Sequence, residues 1–152
     1  MQMTEITFTV PGKPQGKGRP RACRAGAHVR MYTPEKTVSY EHKNMACYLA
    51  ECHTDGRSQL RFAPPVAMWI EAYFEVPKSY PKAKAARCLA NDPPPCCKPD
   101  MDNITKAVAD ALNGVAYKDD TAITDQHITK RYGSPERLVV RIRGEVCRDG
   151  AE

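Results

Sequence analysis

The chain has no long hydrophobic run. Its most apolar segment, Val66-Ala67-Met68-Trp69-Ile70, is five residues, far short of the roughly 20 needed to cross a bilayer. The opening Met1-Gln2-Met3-Thr4-Glu5 has neither a basic start nor an apolar signal core. These absences predict a chain that is neither secreted nor integral to a membrane. A CxxC pair is also missing. The cysteines number seven (Cys23, Cys47, Cys52, Cys88, Cys96, Cys97 and Cys147), an odd count that predicts free thiols in a reducing cytosol. A zinc site can be drawn from Cys88, Cys96, Cys97 and His53, but its spacing matches no ligand pattern. No internal repeat or low-complexity tract occurs. Acid is absent from one whole stretch: residues 12–34 hold six basic side chains and no Asp or Glu.

What is present fits one globular domain. The 152 residues suffice for a buried core. At 27% charged, the composition is not that of a disordered charge tract. The net charge of +5 suggests a polyanionic partner, and its placement says more. The acid-free stretch carries Lys13, Lys17, Arg19, Arg21, Arg24 and Arg30, whereas residues 100–125 carry six aspartates and two lysines. A basic arm and an acidic middle share one small domain.

Alternation of Ile6, Phe8 and Val10 predicts a first strand over Thr4–Val10. Glycines and prolines from Pro11 to Arg21 predict an exposed basic loop spanning 12–34. Thr33 as N-cap and Pro34 as first helical residue predict a helix to about Glu51, with Val38, Glu41, Met45 and Tyr48-Leu49 as a mixed face. Asp55-Gly56 is its expected stop. Val66 to Val76 reads as a second strand, with Val66, Met68, Ile70, Ala72 and Phe74 facing the core. Trp69 and Tyr73 lie on its other face, for a dimer contact or a helix of the same chain to cover. Residues 77–99 hold six prolines. A short helix over Lys82–Ala90 is expected there, then a stiff extended approach to Asp100. A helix from about Asn103 to Leu112 follows from the stripe Ile104, Ala107, Val108, Ala111 and Leu112. Asp102 or Asn103 would cap it and Asn113-Gly114 would end it. Two strands, Ala122–Tyr132 and Arg137–Arg143, joined as a hairpin through residues 133–136, close the chain before a flexible tail at 147–152. Together these elements predict an α+β fold, a small mixed or antiparallel sheet packed with helices.

The segment 98–120 carries the chemistry. On an extended backbone, Asp100 and Asp102 point the same way. The helix beyond is about 15 Å long, so Asp119 and Asp120 return to its start only if the following loop folds over it. Three or four converging carboxylates are tolerable around a hard divalent cation, Mg²⁺ or Mn²⁺ rather than zinc. Lys106 lies one turn beyond Asp102. Its ammonium could hold a phosphate oxygen, orient water or stabilise charge in a transition state. Asn103 could pin a ligand carboxylate. Each piece also has a bland reading. An Asp before a helix is commonly a cap, Asp102 and Lys106 can be a surface pair, and Asp119-Asp120 can be a turn.

Jointly, Lys98-Pro99-Asp100-x-Asp102-Asn103-x-x-Lys106, Asp110-Ala111-Leu112-Asn113-Gly114 and Tyr117-x-Asp119-Asp120 resemble the RusA family of Holliday junction resolvases. Gly12-Lys13-Pro14, Lys17, Arg19-Pro20-Arg21 and Tyr32-Thr33-Pro34 resemble that family's basic N-terminal motif. The resemblance runs from about Ile6 to Arg143. It implies a single RusA-like domain and a Mg²⁺-dependent endonuclease acting as a homodimer on four-way DNA junctions. It implies Asp100, Asp102 and Asp120 as metal ligands and Lys106 as catalytic lysine, with Asp119 beside the third ligand to help position it. It implies a cytoplasmic protein of a bacterial cell, cell- or phage-encoded, with no small-molecule cofactor. Two features depart from the pattern: Ala122 stands where the family has Gln, and Cys96-Cys97 precede Lys98. The DNA contacts expected in the arm are Lys13, Lys17, Arg19, Arg21, Arg24 and Arg30. Arg131, Arg141 and Arg143 are weaker candidates, since arginine on a solvated strand face is common. Two alternatives use the same residues differently: a DNA-binding module without catalysis, and a zinc-binding interaction domain built on the cysteines.

Overall fold

Ile6, Phe8 and Val10 are buried between exposed threonines, and they form the expected strand β1 (Met3–Pro11). The structure, a computed structural model, describes residues 3–147 apart from positions 55 and 57. The expected tail from residue 148 onward lies outside the described residues. Cys147 itself is tied down, its N–H donating to the Arg61 carbonyl at 2.7 Å.

Residues 21–32 are not the irregular loop expected of the basic arm. They form a hairpin, β2 (Arg21–Ala25) and β3 (His28–Tyr32). The stretch between Pro20 and Pro34 contains no proline to interrupt it. Gly26, at φ +63°, supplies the left-handed residue of a two-residue turn.

Helix α1 (Glu35–Thr54) starts one residue later than expected. The Pro34 carbonyl already accepts the Val38 N–H at 3.1 Å, so Pro34 precedes the first helical position. Its inward face differs too. Thr37, Tyr40, Asn44, Tyr48 and Cys52 are buried, and of the expected face only Tyr48 is among them. These residues recur every three to four positions, but they carry polar atoms that disguise the stripe. The Tyr48 hydroxyl donates to the Leu60 carbonyl, and Asn44 donates to the Tyr40 carbonyl at 2.8 Å. Among the described residues, no helix is long and apolar enough to cross a membrane.

Strand β4 (Phe62–Phe74) buries Val66, Met68, Ile70, Ala72 and Phe74 as the alternation predicts. It begins earlier than expected, running through Pro64-Pro65, where its register with the neighbouring strand breaks between Ala63 and Ala67. After α2 (Lys82–Leu89) and α3 (Met101–Ala111), the 3₁₀ turn Asp120–Ala122 leads into β5 (Ile123–Tyr132), and β6 (Arg137–Val146) follows. The sheet order is β1-β6-β4-β5. β6 is antiparallel to β1 and β4, and β5 is parallel to β4. The expected β5–β6 hairpin therefore does not form. The most apolar strand, β4, lies between the two, and the connection crosses its end, where the Gly133 N–H donates to the Phe74 carbonyl at 3.0 Å. A Cβ on Gly133 would sit 2.8 Å from the Tyr73 ring. The result is a mixed sheet in an α+β fold.

Helices α1 and α3 pack on the face of Phe8, Ile70 and Val140 to make the core. Phe8 meets Tyr48 edge-on at 5.7 Å. Truncating such a buried aromatic costs about 3–5 kcal/mol. Neither α1 nor α3 covers the opposite face, so neither is the helix the sequence allowed over Trp69 and Tyr73. Instead the sheet register stacks its own side chains there. Arg141 lies over Trp69 at 4.2 Å, His127 lies parallel to Trp69 at 5.7 Å, and Arg137 lies over Tyr73 at 4.0 Å.

Candidate active site

The start of α3 sets the geometry. The apolar stripe predicts a helix from Asn103, but the first helical residue is Met101. Asp100, rather than Asp102 or Asn103, is the N-cap, its carboxylate accepting the Asn103 N–H at 3.1 Å. Asp102 thus lies in the first helical turn, where the macrodipole favours an anion. The pleated alternation expected to align Asp100 with Asp102 does not extend past the cap, because Asp100 is extended (φ −74°, ψ 163°) whereas Asp102 is already helical. The two carboxylates line different hollows.

Asp102 lines a hollow of about 350 Å³ with Thr105, Lys106, Ala109, Asp120, Ile123 and Gln126. Asp102, Lys106 and Ala109 occupy one face of α3, a turn apart. Asp120 arrives from the following segment, so the return left conditional by the sequence is made. Gly114, at φ +75°, turns the chain, and its N–H donates to the Tyr117 carbonyl at 2.9 Å. The buried Tyr117 hydroxyl then donates to the Ala109 carbonyl at 2.7 Å, which fastens the loop against the helix. Burial raises the Tyr117 phenol far above its ordinary value, and the charges of Asp120, Asp110 and Asp119 act the same way.

The paired aspartates are not equivalent. Asp119 accepts from the Thr121 hydroxyl at 3.0 Å and the Asp120 N–H at 2.9 Å. The Thr121 bond above all holds Asp119 below its ordinary value. Asp120 is raised, first by loss of water and then by its bond to Asp119 and the charges of Asp119 and Asp110, while Lys106 opposes the shift. Asp119 therefore fixes the turn, and Asp120 presents a crowded carboxylate to the hollow.

The oxygen donors there, from α3 and from the 3₁₀ turn, fit a hard divalent cation. Two carboxylates leave the remaining positions to phosphate oxygens and water, a common Mg²⁺ arrangement. A cation would also relieve the crowding around Asp120. Among the described residues, no group of three or more His, Cys, Asp or Glu side chains is gathered as a metal cluster. Asp100 lines the adjoining groove rather than this hollow, and Cys88, Cys96, Cys97 and His53 are not gathered as such a cluster.

Asp100 faces the basic arm. It lines a groove of about 860 Å³ with Lys13–Arg21, Pro34, Lys36, Thr37, Lys98, Pro99 and Asn103. The arm's root is clamped across this groove. The Lys17 N–H donates to the Asn103 carbonyl at 2.9 Å, and the Gly18 N–H donates to the Thr37 hydroxyl at 3.0 Å. A Cβ on Gly16 would lie 2.8 Å from Asn103 Cβ and 2.9 Å from Pro99 Cβ. The Lys17 ammonium contacts Glu41 at 2.5 Å and Asp110 at 3.1 Å. Burial disfavours its charge, but the bonds to Glu41 and Asp110 outweigh that and hold it above its ordinary value. Lys17, expected to grip phosphate, directs its charge inward and joins α1 to α3. Lys13, Arg19, Arg21, Arg24 and Arg30 are exposed. Of the weaker candidates, Arg141 is engaged by Trp69 and by Glu5 at 3.3 Å.

Sequence reasoning missed Thr105 and Gln126 in the hollow. It also missed Lys130, which donates to the Cys97 carbonyl and, at 3.0 Å, to the Pro99 carbonyl, tying the approach to Asp100 onto β5. Thr105 lies within the motif itself, whereas no local motif announces Gln126 or Lys130, because the residues they meet are distant in sequence.

Comparison with known proteins adds two findings. The family described as Endodeoxyribonuclease RusA matches residues 11–143. The chain is also similar to "Uncharacterized protein YqaN" of Bacillus subtilis (strain 168), 36% identical over 143 residues that cover 91% of this chain and 95% of that one.

Proposed function

The chain belongs to the RusA endodeoxyribonuclease family, and from that premise we propose that it resolves four-way DNA junctions by Mg²⁺-dependent phosphodiester hydrolysis. The observation that carries this reading is the meeting of Asp102, Lys106 and Asp120 in one hollow. Asp102 and Asp120 would hold Mg²⁺, with Mn²⁺ as a substitute. Asp100, in the adjoining groove, is the third ligand implied by the family motif. Bound there, the cation would neutralise phosphate charge and activate the attacking water. Lys106 stabilises the charge that develops on the phosphate as water attacks in line with the leaving oxygen. Asn103 orients Asp100 through its backbone N–H, and Asp119 sets the turn that presents Asp120.

The exposed arm cations beside the groove supply phosphate contacts to branched DNA. A four-way junction has near two-fold symmetry and needs paired incisions, so a symmetric homodimer with two equivalent sites suits the task. A role in recombination and repair follows from the substrate. Free thiols and a DNA substrate are consistent with the cytoplasm of a bacterial cell, whether the gene is the cell's or a phage's.

The test is incision of a labelled four-way junction and a matching linear duplex, with Mg²⁺ and with EDTA. Symmetric cuts in the junction alone, lost in EDTA, are expected. Junction binding with no cut under any divalent ion would leave a DNA-binding module without catalysis.

A further inference from the structure

The β2–β3 hairpin packs chiefly on itself and projects from the clamped root beside the Asp100 groove. Its register pairs Arg21 with Tyr32, Ala22 with Met31, Cys23 with Arg30, Arg24 with Val29, and Ala25 with His28. Paired residues share a face and successive residues alternate. One face therefore collects Arg21, Arg30, His28 and Tyr32. The other collects Ala22, Val29 and Met31, with Arg24 directly opposite Val29. Both faces are open: Val29 is 68% exposed, Met31 65% and Tyr32 47%. Val29 and Met31 take no part in the core, although each costs solubility where it stands.

We propose that this hairpin is a two-faced DNA ribbon, with its cationic face on the phosphate backbone and Val29 and Met31 set against bases unstacked at the branch point. The proposal rests on the junction-resolving reading above and adds the element that distinguishes branched from linear DNA. Charge complementarity selects nucleic acid as the occupant. The hairpin and its flanks carry arginines and lysines and no acid from residue 12 to 34, so an acidic polymer meets no repulsion. A two-stranded ribbon fits the width of a DNA groove. Apolar side chains on such an element gain most from base surfaces that have lost their stacking partners. Continuous duplex offers no such surfaces, whereas the point where four arms part does. The clamp through Gly16, Lys17 and Gly18 fixes the hairpin's root next to the helix that carries Asp102 and Lys106. The cut site and the branch point are thereby held at a set offset.

The experiment uses the full-length protein in Ca²⁺, where binding is read without cutting, with fluorescence anisotropy on a four-way junction and on linear duplex. A junction carrying 2-aminopurine at the branch point reports unstacking directly. Three proteins are compared: wild type, Val29→Ser/Met31→Ser, and Arg21→Ala/Arg30→Ala. Wild type is expected to prefer the junction and to brighten the 2-aminopurine. The serine pair should lose the brightening and at least tenfold of the junction preference, with its salt slope unchanged because every phosphate-binding cation remains. The alanine pair should weaken both substrates and flatten the slope by roughly 0.9 for each phosphate no longer neutralised. A serine pair that keeps full preference and brightening overturns the proposal and leaves the junction-resolving reading standing. Loss of dimer in that variant by sedimentation, with junction preference intact in what remains, overturns it in favour of a second copy as occupant. A wild type with no junction preference contradicts the junction-resolving reading itself. Circular dichroism of each variant checks the fold, which two exposed substitutions leave intact.

Discussion

The Asp100 carboxylate accepts the Asn103 backbone N–H at 3.1 Å, and this capped Asp100 lines the arm groove while Asp102 lines the hollow of Lys106 and Asp120. Asn caps a helix as well as Asp does, whereas Ala loses about 1 kcal/mol. Asp100→Ala should therefore melt about 2–4 °C below wild type, the shift usual for this chain length. Asp100→Asn should melt with wild type yet cleave poorly, because it keeps the cap and loses the charge of the proposed third ligand. If Asp100→Ala melted with wild type, the cap would contribute nothing.

Lys17 joins Glu41 and Asp110 with its side chain 21% exposed. Lys17→Met should cost about 1 kcal/mol, a value discounted for solvent screening. The folded protein holds this ammonium above its ordinary value. Its contribution is therefore full below the unfolded lysine value of about 10.4 and is lost as pH rises through the higher folded value. Denaturant melts at pH 6 and pH 9 should show the same penalty, shrinking only in more alkaline solution. A penalty already gone at pH 9 would contradict the assignment.

The same variant separates the arm's two roles. Arg19→Ala/Arg21→Ala should flatten the salt dependence of junction binding by roughly 0.9 for each phosphate that goes unneutralised. Lys17→Met should leave that slope unchanged. Equal slopes for the arginine pair and wild type would remove the arm from the DNA interface.

Gly16 has no room for a side chain, since its Cβ would meet Asn103 and Pro99 Cβ atoms below 3.0 Å. Gly16→Ala should destabilise by about 1–3 kcal/mol through overpacking. Junction cleavage should fall with it, because the arm root and the start of α3 must part. A variant with wild-type melting and cleavage would show that the clamp yields freely.

Much of the frame is legible in the sequence. The alternation Val66 to Phe74 marks the central strand, and the stripe Ile104 to Leu112 marks the helix of the site, because the buried residues there are purely apolar. The buried face of α1 is hidden because Tyr40, Asn44 and Thr37 carry polar atoms. The hairpin in the arm is hidden because both its faces meet water, so no burial contrast writes a period into the sequence. Asp102, Lys106 and Asp120 stand out by motif, and their shared hollow depends on the Tyr117 anchor. The cap at Asp100 is a one-residue choice that pattern cannot make. Lys17 reads as one more arm cation because Glu41 and Asp110 lie far along the chain.

Divalent binding has a thermodynamic signature. Mg²⁺ at a hundredfold excess over its dissociation constant should stabilise the fold by about 2.7 kcal/mol. The resulting rise in melting temperature should vanish in Asp102→Asn and Asp120→Asn. Zinc should not co-purify in stoichiometric amount.

The most direct test is Asp102→Asn on a labelled four-way junction in Mg²⁺, with binding and incision followed in the same samples. Removing one negative charge beside the scissile phosphate should leave junction binding equal or tighter while paired incision disappears. Incision at the wild-type rate by this variant would contradict a catalytic site built on Asp102, Lys106 and Asp120.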